Sequence, residues 1–125
     1  MQVPLRVCPR SLSLWNKITT IAMKKKNDLI SLYKADKQER INQPRANTTE
    51  YKAMRARDLE RRKCVMEIVA SNELHTAEDY YYAAHIMNHG DTPEDAMNAH
   101  MLALRSSELG HRPARWLAEI GRAHV

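Results

Sequence analysis

The chain contains no phenylalanine, only three glycines in 125 residues and no long apolar run. Without about 20 consecutive apolar residues, no membrane-spanning helix is predicted, so we expect no membrane partner. Neither a phosphate-binding glycine loop nor a nucleophile elbow occurs, which excludes the enzyme classes built on those motifs. The two cysteines, Cys8 and Cys64, match no metal-binding or disulfide pattern, which favours a reducing cytoplasm.

Positive charge is concentrated at the N-terminus. Residues 1–26 carry six basic side chains and no acid, whereas the whole chain has a net charge of +5, so the rest sums to −1. Because a nucleic-acid interface needs a basic face on the folded domain, we expect no nucleic-acid partner. Three interpretations of this leader compete. A secretory signal needs an unbroken apolar core, which Asn16 and Lys17 interrupt, an organelle transit peptide fits the basic residues and the lack of acids, and the third is sequence upstream of a start at Met23. We favour the start at Met23 and expect residues 1–22 to be non-native or disordered.

The last seven residues, Glu119 to Val125, are interpreted as foreign to the protein. Reverse-translated as GAG-ATC-GGA-AGA-GCA-CAC-GTC, they match the start of a common sequencing-library adapter, although an ordinary helix end is the alternative. We therefore expect the native chain to be interrupted at about Ala118. A single domain is predicted over residues 23–118.

Helices are predicted throughout this domain from their start and stop signals. The first helix runs from Asn27 to about Asn42, and the second from about Thr49 to Ala70 after a capping box of Asn47 and Glu50. The third begins at a capping box of Thr76 and Asp79 and ends at Gly90. The fourth begins at Thr92-Pro93 and ends at Leu109, and a fifth begins at Pro113. No strand-like alternation or hairpin turn appears. The predicted fold is therefore all-α, a small bundle of four to five helices.

The third and fourth predicted helices are joined by only a few residues, which predicts an antiparallel hairpin. Alanines recur on both partners and permit close helix approach. They are Ala83, Ala84, Ala96, Ala99 and Ala103. Bulk in the hairpin is expected from the following residues, since the chain has no phenylalanine: Tyr81, Tyr82, Ile86, Met97, Met101 and Leu104.

Histidines are the most concentrated reactive side chains. His85 and His89 are four residues apart, so both lie on one helix face, but no glutamate follows the first one and the metalloprotease motif is not met. Reflection of the hairpin about its turn puts His100 opposite Ala83, near His85 and further from His89. A three-histidine metal site would thus need a favourable helix rotation. We favour hydrogen-bonded helix histidines and predict no cofactor, with His85, His89 and His100 as the metal candidates if one binds.

His89 and Asp91 flank Gly90 at a predicted helix end. They are interpreted either as an acid–base pair at the helix mouth or as a cap that locks the hairpin, and we favour the cap. The charged run from Arg57 to Lys63 contains interleaved acids. It predicts a solvated, self-paired face rather than a basic patch that binds phosphate.

Four segments share a pattern with a known family. They are Asp58 with Arg62, Leu74-His75-Thr76-Ala77-Glu78-Asp79, Asn88-His89-Gly90-Asp91 and Ala114-Arg115-Trp116-Leu117-Ala118. Together they resemble a bacterial all-helical family of unknown function over roughly Asp36 to Ala118. Its members end a helix in Gln-His-(Ala or Gly)-Asp, where this chain has Asn88, and carry later Asp-Arg and Gly-Thr-Gln elements. The resemblance implies that Asp58, His89, Asp91 and His100 are of interest, but implies no activity.

A looser similarity is to tetratricopeptide-like helical repeats. It rests on the small residues and turn glycine of Asp95-Ala96, Ala99, Ala103 and Leu109-Gly110. Stable arrays need about three repeats and barely one is visible. Tight packing of any antiparallel helix pair is the alternative explanation.

Two functions are compatible with these patterns. The first is a cytoplasmic bacterial helical binding or scaffold domain with a protein partner, whose site lies along the hairpin. Its binding candidates are Tyr81, His85 and His100. The alternative is an enzyme in which His89, Asp91 and Asp58 form an acid–base group completed by residues beyond Ala118. No sequence feature sets the oligomeric state.

Overall fold

Helices account for most of the chain that the computed structural model describes, which is the backbone of residues 14–124 and the side chains of residues 28–120. They are α1 (Leu14–Ile41), α2 (Thr49–Ala70), α3 (Ala77–Met87), α4 (Pro93–Glu108) and α5 (Pro113–His124). No strand occurs between residues 14 and 124, so the predicted all-α class is confirmed. None of these described helices is long and apolar enough to cross a membrane. α1 begins well before the predicted Asn27, and residues 1–13 of the predicted leader lie outside the described residues.

Side-chain caps explain where α2 and α3 begin. The Thr48 hydroxyl accepts from the Tyr51 amide at 3.1 Å, so Thr48 caps α2. The predicted cap, Asn47, instead has a φ of 71°, outside the extended geometry that a cap residue adopts. At α3 the predicted capping box is confirmed, because Thr76 and Asp79 each accept from the other's amide at 3.1 Å.

α3 and α4 form the predicted antiparallel hairpin. The Ser106 hydroxyl, near the end of α4, donates to the Ala77 carbonyl at the start of α3 at 2.6 Å. The two helices meet along fully buried alanines, here called the alanine seam. It consists of Ala83, Ala84, Ala99 and Ala103. Such small side chains let the two backbones approach closely, and α4 packs against α5 in the same way through Ala114 and Ala118.

The prediction of bulky residues in the hairpin is confirmed for Ile86, which is buried, but it is wrong for Met97, Met101 and Leu104 on α4. Their exposed fractions are 42%, 54% and 38%. Alanine contact on both sides of α4 leaves no space for long side chains there, so these three residues project from the outer face. The apolar core instead lies where α1 and α2 meet α3. Its largest members are Leu29, Val65, Ile68, Ile86 and Met87.

One side of the charged run of α2 is buried, contrary to the predicted solvated face, while Arg57, Leu59 and Lys63 are exposed. Asp58, Arg61 and Arg62 are each at most 6% exposed, because this side of α2 faces α1 and the turn between α3 and α4. Cys64 is also buried on α2 and is disulfide-bonded. The expectation of no disulfide at Cys64 is therefore wrong, and with it the argument from cysteine use for a reducing cytoplasm.

Candidate functional site

Asp36, His85 and His89 converge between α1 and the end of α3, and are here called the triad. Asp36 lies on α1, His85 lies in the last turns of α3, and His89 lies two residues beyond that helix. His85 Nδ1 is 3.3 Å from Asp36 Oδ2, and His89 Nδ1 is 2.9 Å from Asp36 Oδ1. The two imidazole centroids are 5.6 Å apart, with the rings nearly perpendicular. Each carboxylate oxygen thus faces one imidazole nitrogen.

The facing atoms of the triad are buried polar groups in close contact. Both Asp36 oxygens and the Nδ1 atoms of His85 and His89 are shielded from solvent, and their contacts with one another are poorly aligned as hydrogen bonds. Buried polar atoms gathered in this way call for an explanation. A zinc ion with ligands at 2.0–2.2 Å places those ligand atoms roughly 3.3 to 3.6 Å apart. One ligand atom from each member of the triad lies within 4.8 Å of the other two.

Asp36 is held in its charged form. Burial by itself raises the pKa of this 1% exposed carboxyl, but the facing imidazoles of His85 and His89 and the guanidinium of Arg40 outweigh burial. The pKa of Asp36 therefore lies well below its ordinary value. A deprotonated carboxylate is the state that binds a metal ion.

Asp58 is surrounded by arginines, which together with it form the arginine network. Arg40 binds it in a bidentate manner at 3.2 and 2.8 Å, Arg55 at 2.6 Å and Arg61 at 2.7 Å. Burial raises the pKa of Asp58, but the hydrogen bonds and charges of Arg40 and Arg61 lower this pKa by more than burial raises it. The net shift is therefore downward. This carboxylate is a structural anion. The proposal that Asp58 serves as a general base with His89 therefore loses its support.

The predicted pairing of His89 with Asp91 is replaced by other contacts. The exposed Asp91 carboxylate accepts from Arg55, while the carboxylate that faces His89 is Asp36. Arg55 also contacts Asp58, so the arginine network reaches the turn between α3 and α4. The catalytic candidates His89, Asp91 and Asp58 thus lie in one region of connected charges but do not form one acid–base group.

Aromatic rings border the triad. The Tyr33 ring centroid is 5.2 Å from that of His85, and the Tyr81 centroid is 6.0 Å from His85 and 4.5 Å from His111. Burial raises the pKa of both Tyr33 and Tyr81, which keeps their hydroxyls protonated. The binding candidate Tyr81 therefore lies beside His85, at the rim of the triad.

His100 lies away from this site. Its Nδ1 donates to the Ala118 carbonyl at 2.8 Å, which ties α4 to α5. The hypothesis of a three-histidine metal site is therefore wrong in its third member, since Asp36 is the residue that meets His85 and His89. The geometric reason is that the alanine seam with α3 and the contact with α5 fix the rotation of α4, which turns His100 towards α5.

Asp36 was missed by sequence reasoning, although a signal was present. It lies seven residues after Leu29, which is 2% exposed, so the two share one face of α1. A lone acidic residue on an apolar helix face must find a buried partner. The position of Asp36 on this apolar face therefore predicts a basic or metal-binding partner for it on another helix.

Two surface cavities lie apart from the triad. One of about 480 Å³ is lined mainly by the turn between α3 and α4, and one of about 470 Å³ lies along α2 between Leu59 and Ala70. Neither is lined by Asp36, His85 or His89. The role of the triad rests on its own geometry, because no family model, curated protein or solved structure matches this chain.

Proposed function

We propose that this protein is a metal-dependent enzyme of hydrolytic type that binds one divalent transition-metal ion through the triad, with zinc as the best fit. Two imidazoles and a carboxylate are common zinc ligands. The observation that carries the proposal is the convergence of one carboxylate and two imidazoles, whose ligand atoms lie within 4.8 Å of one another and whose facing atoms are buried. A cation at their centre would satisfy all three.

The number of ligands supports a catalytic rather than a structural site. Structural zinc sites are closed by four protein ligands, whereas catalytic sites have three and keep one position for water or substrate. Among the described residues the group has three members. The side chains of His85 and His89 are 25% and 21% exposed, which leaves one side open to solvent. A zinc ion held there would supply a Lewis acid for hydrolysis.

The surroundings of Asp36 resemble the outer shell of known metal sites. Arg40 Nη1 is 3.7 Å and Arg61 Nε is 3.9 Å from Asp36 Oδ1. At these distances the two guanidinium groups act on Asp36 through their charge and not through hydrogen bonds. They favour the deprotonated carboxylate that a metal ion needs.

Equilibrium dialysis against zinc tests the site directly. We expect one zinc ion per wild-type chain and almost none for Asp36→Asn or His89→Ala, because each change removes a ligand. His100→Ala is the matched control, since His100 contacts Ala118 and not the triad. A wild-type protein that binds no zinc, or an Asp36→Asn protein that binds it unchanged, contradicts the proposal.

Hydrolysis of p-nitrophenyl acetate tests the catalytic part. The zinc-loaded wild type should accelerate this reaction relative to the chelated protein. Zinc-loaded His100→Ala should behave as wild type. If the protein binds zinc but accelerates the hydrolysis of neither this ester nor p-nitrophenyl phosphate, the metal site stands and the proposed hydrolytic activity is contradicted.

A second candidate function is the binding or scaffold domain. It is favoured by the outward side chains of Met97, Met101 and Leu104, which are more exposed than apolar residues of a closed bundle. A cytoplasmic location remains a proposal that rests on the family resemblance alone. Sedimentation at increasing protein concentration tests this function. Self-association of the wild type that Met101→Lys abolishes would support binding through α4, and a wild type that stays monomeric at every concentration would exclude self-association.

A further inference from the structure

His89 is held in place by a turn rather than by a helix. α3 ends at Met87, and Asn88 is its capping residue. The His89 amide donates to the Ile86 carbonyl at 3.2 Å, three residues back, instead of making the α-helical bond. The direction of the His89 imidazole therefore depends on what fixes this turn.

Arg62 fixes the turn from the other side. This residue of α2 donates from Nη1 to the His89 carbonyl at 3.0 Å, and its side chain is only 7% exposed. The same guanidinium faces Asp91 at 3.8 Å and Asp95 at 3.6 Å. A planar guanidinium with several donors can hold a carbonyl and two carboxylates at once, which an ammonium group cannot do.

Gly90 shows how closely the turn is packed. A Cβ atom at this position would lie 2.2 Å from the Asp95 Cβ, so the backbone passes directly against the first turn of α4. The Asp91 amide donates to Asp95 Oδ2 at 3.2 Å. The turn is thus attached to α4 by its own backbone and to α2 by Arg62, which leaves His89 little freedom.

We propose that Arg62 is a positioning residue of the metal site, which holds the His89 backbone so that Nδ1 faces Asp36. This inference rests on the proposed function, because it assigns Arg62 a role in metal affinity. Arg62 reaches the site through the carbonyl of a ligand residue. Ligand positions must be held within about 0.5 Å for tight binding, and loss of an outer partner typically weakens metal binding 10- to 100-fold.

Zinc affinity of three variants tests this role, measured by competition with a chelator on the folded full chain. We expect Arg62→Gln to weaken binding by about 10- to 100-fold and Arg62→Lys by a smaller factor. Lys63→Gln is the matched control, since it removes the same charge from the next residue, which is 61% exposed and pairs with Glu60. The visible absorption of bound Co²⁺ should change in Arg62→Gln and remain unchanged in Lys63→Gln.

The outcomes separate this inference from the proposed function. A wild type that binds no zinc removes the proposed function. A wild type that binds zinc while Arg62→Gln binds it with equal affinity and an unchanged Co²⁺ spectrum overturns only the role of Arg62. If Arg62→Gln does not fold, Arg62→Lys decides, because it keeps the charge and the aliphatic stem. Wild-type affinity in folded Arg62→Lys then overturns the proposal.

Discussion

The bundle contains two interfaces of opposite chemistry. α3 and α4 meet along the alanine seam, where Ala83, Ala84, Ala99 and Ala103 are at most 2% exposed. α2 meets α1 and the turn between α3 and α4 through the arginine network, whose central carboxylate is equally buried. One interface is held by close approach of backbones and the other by directional charge contacts.

This difference matters for the site. Alanine contacts are non-directional, so the seam sets the distance between two helices without orienting any functional group. Bidentate arginine–carboxylate bonds fix angles as well as distances. The triad lies beside the directional interface, which indicates that the charges serve positioning. Buried ion pairs are weak evidence for stability, since their desolvation offsets much of their attraction.

Removal of the central carboxylate should break the charged interface. Asp58→Asn leaves Arg40, Arg55 and Arg61 without their shared anion. We expect the free energy of unfolding to fall by roughly 3–5 kcal/mol, the usual cost of one lost partner in a buried pair. Urea denaturation measures it. Glu60→Gln is the matched control, because its pair with Lys63 is exposed and should contribute less than about 1 kcal/mol.

The pH dependence shows whether charge causes that loss. The folded-state pKa of Asp58 lies below its ordinary value of 3.8, since Arg40 and Arg61 outweigh burial. The stabilisation is therefore complete above about pH 5 and disappears as the pH falls through the folded pKa. The gap between wild type and Asp58→Asn should narrow towards acid pH. A gap that stays constant down to pH 2 would assign the loss to packing instead.

Overpacking should break the alanine seam with a smaller effect. Ala103 is fully buried, and Ala103→Leu inserts three carbon atoms where two backbones approach closely. Such insertions cost about 1–3 kcal/mol. Thermal unfolding of Ala103→Leu and of the exposed-site control Ala56→Leu measures the difference. An Ala103→Leu protein as stable as the control would mean that the seam tolerates separation and is not set by alanine.

Local signals predicted much of the fold. The capping box of Thr76 and Asp79 and the proline start at Pro93 placed two helices within a few residues, because caps act over one helical turn. Side-chain direction was predicted less well. Met97 and Met101 were assigned to the hairpin, since a row of apolar residues does not reveal which neighbouring helix it faces.

Half of the site could be predicted. The spacing of His85 and His89 placed both on one face, and the structure keeps them together. Their partner could not be found from spacing, because Asp36 lies on a helix far away in sequence and its meeting with α3 depends on tertiary packing. His100 was attractive because the hairpin is local, but a local reflection ignores the contact with Ala118.

The hydrogen bond between Ser106 and Ala77 in the hairpin offers the smallest test of the comparison. Ser106→Ala removes the 2.6 Å bond to the Ala77 carbonyl and substitutes the residue type of the seam itself. The carbonyl keeps its helical partner, so no acceptor is left unsatisfied and the loss should be about 1 kcal/mol. Ser107→Ala, one position along, is the control. If Ser106→Ala cost as much as Asp58→Asn, directional bonds would hold both interfaces, and the contrast between them would disappear.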